Sequence, residues 1–354
     1  MRSRFPRLPP RFRPRLGRAK RSPAPRDVLA PSPLLGLAWR ALPLGALMLL
    51  AILAMIAGTL LTRPGPHPIR RILSVGVIAV GSGEAAWIRT PSGRFVLIGG
   101  GPPGAGAHVV RSLRAAGARE IALVVQPYPY AEAIGGLPAV LEAFPRCGGS
   151  WDAGYPPPRR DNQNGVERFA PAPPINEWQE TVGDLLAGRS VPVQSARAGQ
   201  TLDLGDGVRL TVLAPAVPFL EDTPGAPNNS IVLRLTYGET AFLFAGGLER
   251  AGETALLARA ASEGKTLSAD WLRVARCGTR EATSPEFARQ VAPLFAVVSA
   301  GGASAAGYPH RETLATLANN GALVRRTDDP ARKGADLIFE SDGARVTEAT
   351  EKDF

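Results

Sequence analysis

The chain has 354 residues and a formal net charge of +10, from 41 basic and 31 acidic side chains. Eleven of the basic residues but only one acidic residue, Asp27, lie in residues 1–62, so the thirty basic and thirty acidic residues of the remainder cancel. The high charge therefore belongs to the N-terminal segment, and it does not make the rest of the chain a nucleic-acid-binding domain.

The two cysteines, Cys147 and Cys277, are too few for a disulfide framework or a thiolate zinc site. Two alternatives remain for them: a single disulfide, if the domain is exported, or two independent small apolar residues. Because they lie far apart in the sequence, we favour two independent residues.

Residues 1–40 are rich in Arg and Pro and carry almost no aliphatic pattern. Such a segment cannot bury enough apolar surface to fold, so we predict a disordered basic tail. Residues 41–62 then form a run of 22 residues without a charge. At about 1.5 Å per residue, this run is long enough to cross a hydrocarbon core of about 30 Å. It predicts a transmembrane helix.

A cleaved signal peptide is the alternative interpretation of residues 41–62. The long basic segment before the run and the lack of a clear small-residue cleavage site favour a retained single-pass anchor. Because the basic residues concentrate on its N-terminal side, we expect a cytoplasmic tail and an extracytoplasmic C-terminal domain in the cell membrane. Residues 63–71 are expected to form a linker to that domain.

Residues 72–349 alternate between strand and helix patterns and predict one folded domain. The predicted strands lie at 72–80, 85–90, 95–98, 121–125, 201–204, 208–213, 231–237, 240–244, 271–274, 295–298, 323–326, 337–340 and at 346. The predicted helices lie at 109–116, 137–144, 175–186, 249–261 and 312–319. Two successive groups of strands, each followed by strand–helix units, indicate an α+β fold in which two packed sheets carry helices outside, a four-layer αββα sandwich.

The loop after the predicted strand 121–125 is where we expect the functional site. It contains Tyr128, Tyr130 and Glu132 in the sequence LVVQPYPYAEAIGG, directly before Gly135 and Gly136 open a helix. A strand that ends in a loop at the start of a helix is where α/β folds place their chemistry.

This loop and six further stretches, in the same order, resemble the metallo-β-lactamase-fold domain of ComEC-type competence and DNA-uptake proteins. The seven stretches lie at 75–101, 116–144, 198–215, 227–250, 269–279, 284–302 and 307–317. The resemblance implies the αββα fold and, in members with the full motifs, a site for Zn²⁺ or another divalent metal ion that activates a water molecule for hydrolysis.

The metal-binding motif of that family, T-H-x-(H/D)-x-D-H-I-G-G, is degenerate in this sequence. Its ligand positions are occupied by Tyr128, Tyr130, Glu132 and Ala133. A tyrosine with a pKa of about 10 is a poor zinc ligand at neutral pH, and alanine is none. The resemblance therefore places the site here and at the same time removes its usual chemistry.

The remaining ligand positions are changed as well. Gly247 stands where the family has a bridging aspartate, and Arg276 and Cys277 stand where it has paired histidines. A fixed cation such as Arg276 at a ligand position repels a dication. Of the C-terminal Gly-His-Pro-His motif, Tyr308 replaces the first histidine and His310 retains the second.

The best set of metal ligands that can be assembled is Glu132, Cys277 and His310, which would have to converge from three loops. We therefore expect no metal cofactor and a vestigial cleft. Its residues are Tyr128, Tyr130, Glu132, Arg276, Cys277, Tyr308 and His310.

Two interpretations of this cleft remain open. Besides the residues above, the tyrosine Tyr155 and the arginines Arg159 and Arg160 are expected to line it. Aromatic and arginine side chains stack and neutralise single-stranded nucleic acid, but they also fill an inactive site, which we favour because the domain has no net charge.

We predict a membrane-anchored, catalytically inactive protein that binds or scaffolds at the outer membrane face, with single-stranded DNA or a protein as partner. The resemblance alone implies a link to DNA uptake. The alternative is a phosphodiesterase- or nuclease-like metal-dependent hydrolase with an atypical site.

Overall fold

The computed structural model describes residues 45–46, 48–49, 51–53 and 55, and residues 71–349 except 155–174, 221–225, 302–306 and 333. The chain divides into two compact units, Met1–His67 and Pro68–Phe354. Within the first unit the described residues are helical, and they belong to the predicted span at 41–62. No helix formed by described residues is long and apolar enough to cross a membrane. The tail and most of the predicted span and linker lie outside these residues, so those predictions stay predictions.

The first sheet of the second unit contains eight strands in its described part. They are β1 (Leu73–Val77), β2 (Ala86–Arg89), β3 (Phe95–Ile98), β4 (Leu123–Val125), β5 (Ser150–Asp152), β6 (Val193–Ser195), β14 (Leu337–Ser341) and β15 (Val346–Glu348). Their order is β15-β14-β1-β2-β3-β4-β5-β6. The strands from β15 to β3 are antiparallel, and those from β3 to β6 are parallel.

The second sheet contains seven described strands in the order β13-β12-β11-β10-β9-β8-β7. They are β7 (Thr201–Gly205), β8 (Val208–Ala214), β9 (Val232–Tyr237), β10 (Thr240–Phe244), β11 (Trp271–Arg273), β12 (Phe295–Val298) and β13 (Leu323–Arg326). Strands β7 to β10 are antiparallel, and β10 to β13 are parallel. Strands β3, β4, β10 and β11 are each followed by a loop that leads into a helix or a 3-10 turn.

Helices cover the outer face of each sheet. The helices on the first sheet are α1 (Gly106–Ala115), α2 (Ala131–Ile134), α3 (Leu137–Ala143) and α4 (Ile175–Ala187). Those on the second are α5 (Arg250–Ser262), α6 (Pro285–Val291) and α7 (Arg311–Asn319). Short 3-10 turns lie at Pro103–Ala105, Ala226–Asn229, Ala275–Gly278 and Pro330–Arg332.

The two sheets pack face to face through one apolar core. At its centre the Trp271 ring lies 5.2 Å from Phe244, 5.7 Å from Phe242 and 5.8 Å from Phe339, between ring centroids. Burying one such side chain stabilises the fold by about 1.5–3 kcal/mol. Strand β10 is buried on both faces because sheet and helices cover it, as its uniformly apolar sequence indicates. This packing confirms the predicted four-layer sandwich.

Several predicted boundaries were wrong for local reasons. The first strand, predicted over 72–80, ends at Val77, because the Ala79 amide donates to Asp336 Oδ1 at 2.9 Å and leaves the sheet ladder. Strands β5 and β6 and helix α6 were not predicted. Each strand has only three residues, and the β6 pattern is exposed throughout, so neither shows the alternation that marks a strand.

Candidate functional site

The site lies where three loops at the edge of the sandwich meet, which we call the loop edge: residues 126–132, 246–249 and 275–279. The first loop leaves β4 and enters α2, and Ile231 N donates to Pro127 O at 2.8 Å, which ties it to the start of β9. The loop edge therefore joins segments of both sheets.

Tyr128 is the residue at the centre of the loop edge. Its side chain is 2 % exposed and its ring meets that of Tyr130 edge-on, with centroids 5.8 Å apart. A Cβ atom placed on Gly247 would lie only 3.0 Å from Tyr128 Cδ1. The Gly247 amide donates to Ser230 Oγ at 2.9 Å, which fixes this backbone under the ring. The ring thus occupies the space that a side chain at position 247 would need.

Arg276 forms two ion pairs across the loop edge. Its Nη1 lies 3.3 Å from Glu132 Oε1, and its Nε lies 3.4 Å from Glu249 Oε1. The guanidinium also lies 6.0 Å from the centroid of the Tyr130 ring, within the range of a cation–π contact. All three charged side chains are partly buried, so their mutual attraction is screened less than that of a surface pair.

The backbone that carries Arg276 has an unusual conformation. Arg276, Cys277 and Gly278 all have positive φ angles, of 50°, 53° and 73°. This left-handed region disfavours residues with a side chain by about 1–2 kcal/mol each. The turn is tied to the next segment, because the His310 amide donates to Gly278 O at 2.7 Å.

A second charged pair, Glu84 with Arg273, lies buried behind the loop edge. Arg273 Nη2 lies 3.8 Å from Glu84 Oε2, and the two side chains are 1 % and 3 % exposed. Arg273 also donates to Gly83 O, Val274 O and Ser299 Oγ. Glu84 Oε1 and Arg273 Nε have no hydrogen-bond partner among the described residues.

Burial sets the protonation of the groups at this edge. It raises the pKa of the Glu84 carboxyl, an effect that the Arg273 charge only partly offsets. Burial also raises the pKa of the Tyr128 hydroxyl well above its ordinary value and that of the Cys277 thiol to about 11. Tyr128 and Cys277 are therefore neutral at pH 7, and neither is an activated nucleophile.

The other predicted residues lie in different surroundings. The Nε2 atom of His310 lies 3.1 Å from Arg280 Nη2, and its Nδ1 lies 3.9 Å from Glu312 Oε2. Tyr308 is partly buried at the start of the same segment. Ala133 is buried in α2 and its carbonyl accepts from Gly100 N. Tyr155, Arg159 and Arg160 lie outside the described residues.

These residues do not fit a divalent metal ion. Over the residues that the structure describes, no group of three or more His, Cys, Asp or Glu side chains is placed to hold one, so Glu132, Cys277 and His310 do not converge. Glu132 is instead paired with a fixed cation, Arg276. Cys147 and Cys277 are free thiols, so the alternative of a disulfide between them is wrong.

Two cavities lie near the carboxyl ends of the strands. The one beside Tyr128, which Gln126, Asp152 and Gln179 also line, measures about 10 Å³, about the smallest space that holds one water molecule. A larger cleft of about 400 Å³ lies between α5, α6 and α7. The predicted cleft residues do not line the larger one, which is bordered by Arg250, Arg280, Glu281, Ala282, Thr283, Pro285, Glu312, Thr313 and Thr316.

Sequence reasoning missed Glu249 and the pairing of Glu84 with Arg273. Glu249 follows Gly247 by two residues in the loop after β10, so an acidic residue near a predicted ligand position was the available signal. Nothing in the sequence marks a pair whose members are separated by this much of the chain.

No family model matches the chain. In sequence it is similar to ComE operon protein 3 of Bacillus subtilis (strain 168), with 30% identity over 149 residues. The match covers 42% of this chain but 18% of that protein, so the chain spans less than a fifth of its curated relative. The predicted resemblance is confirmed: the chain contains a domain that is similar to the ComEC type.

Solved structures that resemble the chain include a mutant of the β-hydroxylase CmlA, which is 16% identical and has a TM-score of 0.42 over 83% of this chain and 60% of that one. A B3 metallo-β-lactamase with an active-site glutamic acid is 16% identical, with a TM-score of 0.37 over 70% and 87% of the two chains. TM-scores of this size are too low to support a conclusion about chemistry.

Proposed function

We propose that this ComEC-like domain is not a hydrolase, and that it binds or scaffolds a partner at the outer face of a membrane to which residues 41–62 anchor it. The observation that carries the proposal is the position of Arg276 between Glu132 and Glu249. A fixed guanidinium there opposes a divalent cation and uses the carboxylates that would otherwise attract one.

The remaining groups at the loop edge support the absence of hydrolysis. A nucleophile or general base must be accessible and must change protonation near the working pH. Cys277 and Tyr128 are buried and stay protonated, and Glu84 is buried beside Arg273. His310, the one imidazole at a predicted ligand position, lies beside Arg280.

Of the two expected partners, a protein fits better than single-stranded DNA. Arg276, the described arginine of the predicted cleft, is already neutralised by two carboxylates, and the cavity beside Tyr128 admits no base. A role near DNA uptake, which the ComEC-type resemblance implies, is part of the proposal.

The catalytic part of the proposal is tested on the full chain in detergent. Zinc, manganese and iron are measured by elemental analysis, and hydrolysis of a generic phosphodiester is assayed with and without each metal. We expect substoichiometric metal and no turnover above the buffer. Stoichiometric metal that is lost on Glu132→Ala or His310→Ala, together with turnover, would establish the hydrolase instead.

The partner and the anchor are tested separately. Fluorescence anisotropy with a single-stranded oligonucleotide should show no binding that falls steeply with salt; such binding would favour the nucleic-acid partner. Deletion of residues 41–62 should move the protein from the membrane fraction to the supernatant. A C-terminal alkaline phosphatase fusion should be active if the domain lies outside the membrane, as we propose; an inactive fusion would reverse the orientation.

A further inference from the structure

From the geometry of the loop edge we infer that Arg276 is a permanent internal cation. It holds the loops of the two sheets together and keeps the predicted cleft around Tyr128 closed. The inference rests on the proposed function in one respect, that no metal ion occupies the site. It goes further, because it assigns to one side chain the task of holding two halves of the domain in place.

The partners of Arg276 come from both sheets. Glu132 lies in α2, which follows β4 of the first sheet, whereas Glu249 follows β10 and Arg276 itself follows β11, both in the second sheet. The pair with Glu132 therefore crosses from one sheet's loops to the other's, whereas the pair with Glu249, in which Nε makes no hydrogen bond, lies within the second sheet's loops.

The carboxylates of Glu132 and Glu249 also favour the charged form of Arg276. Burial would lower the pKa of its guanidinium, but its neighbours, Glu249 and Glu132 among them, raise it above its ordinary value. Its side chain is 26 % exposed, and those of Glu132 and Glu249 are 37 % and 20 % exposed. The three charges thus sit in a partly desolvated place, where an ion pair is screened less than at the open surface. Burial raises the pKa of Glu249 despite the Arg276 charge, so the pair with Glu132 is the one on which the clamp depends.

The backbone at 276–278 supplies an independent argument. Two residues with side chains hold left-handed conformations there, and such strain persists only where surrounding contacts impose it. The contacts at this turn include the two ion pairs, the hydrogen bond from His310 N to Gly278 O and the hydrogen bond from Thr279 N to Arg276 O. Arg280, just beyond this turn, pairs with the exposed Glu312 at 3.6 Å and provides a matched control.

Cys277 makes the clamp measurable. Its side chain follows Arg276 directly and is 8 % exposed, so a thiol reagent reaches it only when the loop edge opens. Labelling rates are measured on the full chain with Cys147→Ser, which leaves Cys277 as the single thiol. Because labelling proceeds through local opening, the rate reports the stability of the closed edge.

We expect Arg276→Met to raise the labelling rate of Cys277 by about tenfold, the factor expected when a partly buried pair of about 1.4 kcal/mol is lost. Arg280→Met should change it by less than about twofold, since exposed pairs contribute little. If both variants behave alike, the inference is overturned.

A double-mutant cycle shows whether Arg276 acts through the other sheet. Glu132→Gln alone should speed labelling, and it should add nothing in the Arg276→Met background. Additive effects would overturn the clamp. Should Arg276→Met fail to fold, Glu132→Gln remains decisive. It keeps the Arg276–Glu249 pair, and the labelling rate of Cys277 must still rise if the clamp crosses the sheets.

Failure of this inference differs from failure of the proposed function. If the wild-type chain carries stoichiometric metal and a chelator speeds Cys277 labelling, the metal is the clamp and both ideas fall. If the wild-type chain is metal-free but Arg276→Met leaves labelling unchanged, only the clamp falls.

Discussion

The core between the sheets and the loop edge are stabilised by different forces. In the core, Phe242, Phe244, Trp271 and Phe339 are almost fully buried and pack ring against ring. At the loop edge, a few partly buried charges and one buried tyrosine meet on segments with strained backbone. The core depends on apolar area, which many sequences supply, whereas the edge depends on particular partners.

This difference explains how one fold can keep its architecture while its site changes. The apolar core between the sheets contains neither Tyr128 nor Arg276, so changes at these two positions should leave the packing of the sheets intact. Three variants and one pH titration measure how separate the two regions are, from the largest expected effect to the smallest.

Phe339→Ala should have the largest effect, because it empties a fully buried space between the sheets next to Trp271 and Phe295. We expect a loss of about 3–5 kcal/mol in the free energy of unfolding. Chemical denaturation followed by tryptophan fluorescence measures it. Leu323→Ala, at a site that is 46% exposed, serves as the control and should change stability by less than about 0.5 kcal/mol. Equal losses would contradict the assignment of this core.

Glu84→Gln tests the buried pair behind the edge. Removing one member of a buried ion pair typically destabilises by about 3–5 kcal/mol, and we expect less than about 3 kcal/mol because the atoms of Glu84 and Arg273 are 3.8 Å apart and burial already disfavours the charged form of Glu84. The raised pKa of Glu84 means that its contribution is largest below its ordinary value of 4.5 and declines as pH rises through the folded value. The variant should therefore flatten the stability–pH curve above pH 4.5. An unchanged curve would show that Glu84 is not desolvated.

Gly247→Ala tests the contact under the Tyr128 ring. The new methyl group would lie 3.0 Å from Cδ1, so we expect a loss of about 1 kcal/mol from overpacking. Gly183→Ala is the matched control in α4, where a Cβ meets nothing within 4 Å, and it should gain about 0.5 kcal/mol. In a Tyr128→Ala background the loss at position 247 should disappear. Persistence of that loss would place its cause elsewhere.

The smallest effect concerns the thiol of Cys277, whose pKa burial raises to about 11 from an ordinary 9.0. Any stability from this group is present below pH 9 and is lost as pH rises through 11. Iodoacetamide labelling of the Cys147→Ser chain should rise with a midpoint near pH 11, and near 9 once the chain is unfolded. Circular dichroism at each pH confirms that the fold persists. A midpoint near 9 in the folded chain would mean that Cys277 faces solvent.

Sequence reasoning was strongest where apolar periodicity is strongest. The strands β3 and β10 were predicted at their observed bounds, because continuous apolar runs mark strands that are covered on both faces. It failed for β6, whose three exposed residues carry no pattern, and for α6, which has only seven residues. Short elements are formed by their neighbours in space, which a local pattern does not contain.

At the loop edge the sequence predicted positions but not partners. Tyr128, Glu132 and Arg276 were identified, and the structure brings them together. The role of Glu249 and the geometry of the 276–278 turn depend on contacts between residues far apart in the chain. The buried Glu253, whose carboxylate accepts from the amides of Thr283 and Ser284, was missed for the same reason.

The contact between Tyr128 and Gly247 also limits the mutational routes open to this protein. An acidic residue introduced at position 247 first collides with the ring, and a small residue introduced at 128 first leaves a void above the glycine. Each single step passes through a less stable chain, so the two positions change at low cost only as a pair. A ring and a glycine that fit each other in this way are coupled, so a larger side chain at position 247 is best tolerated together with a smaller one at position 128.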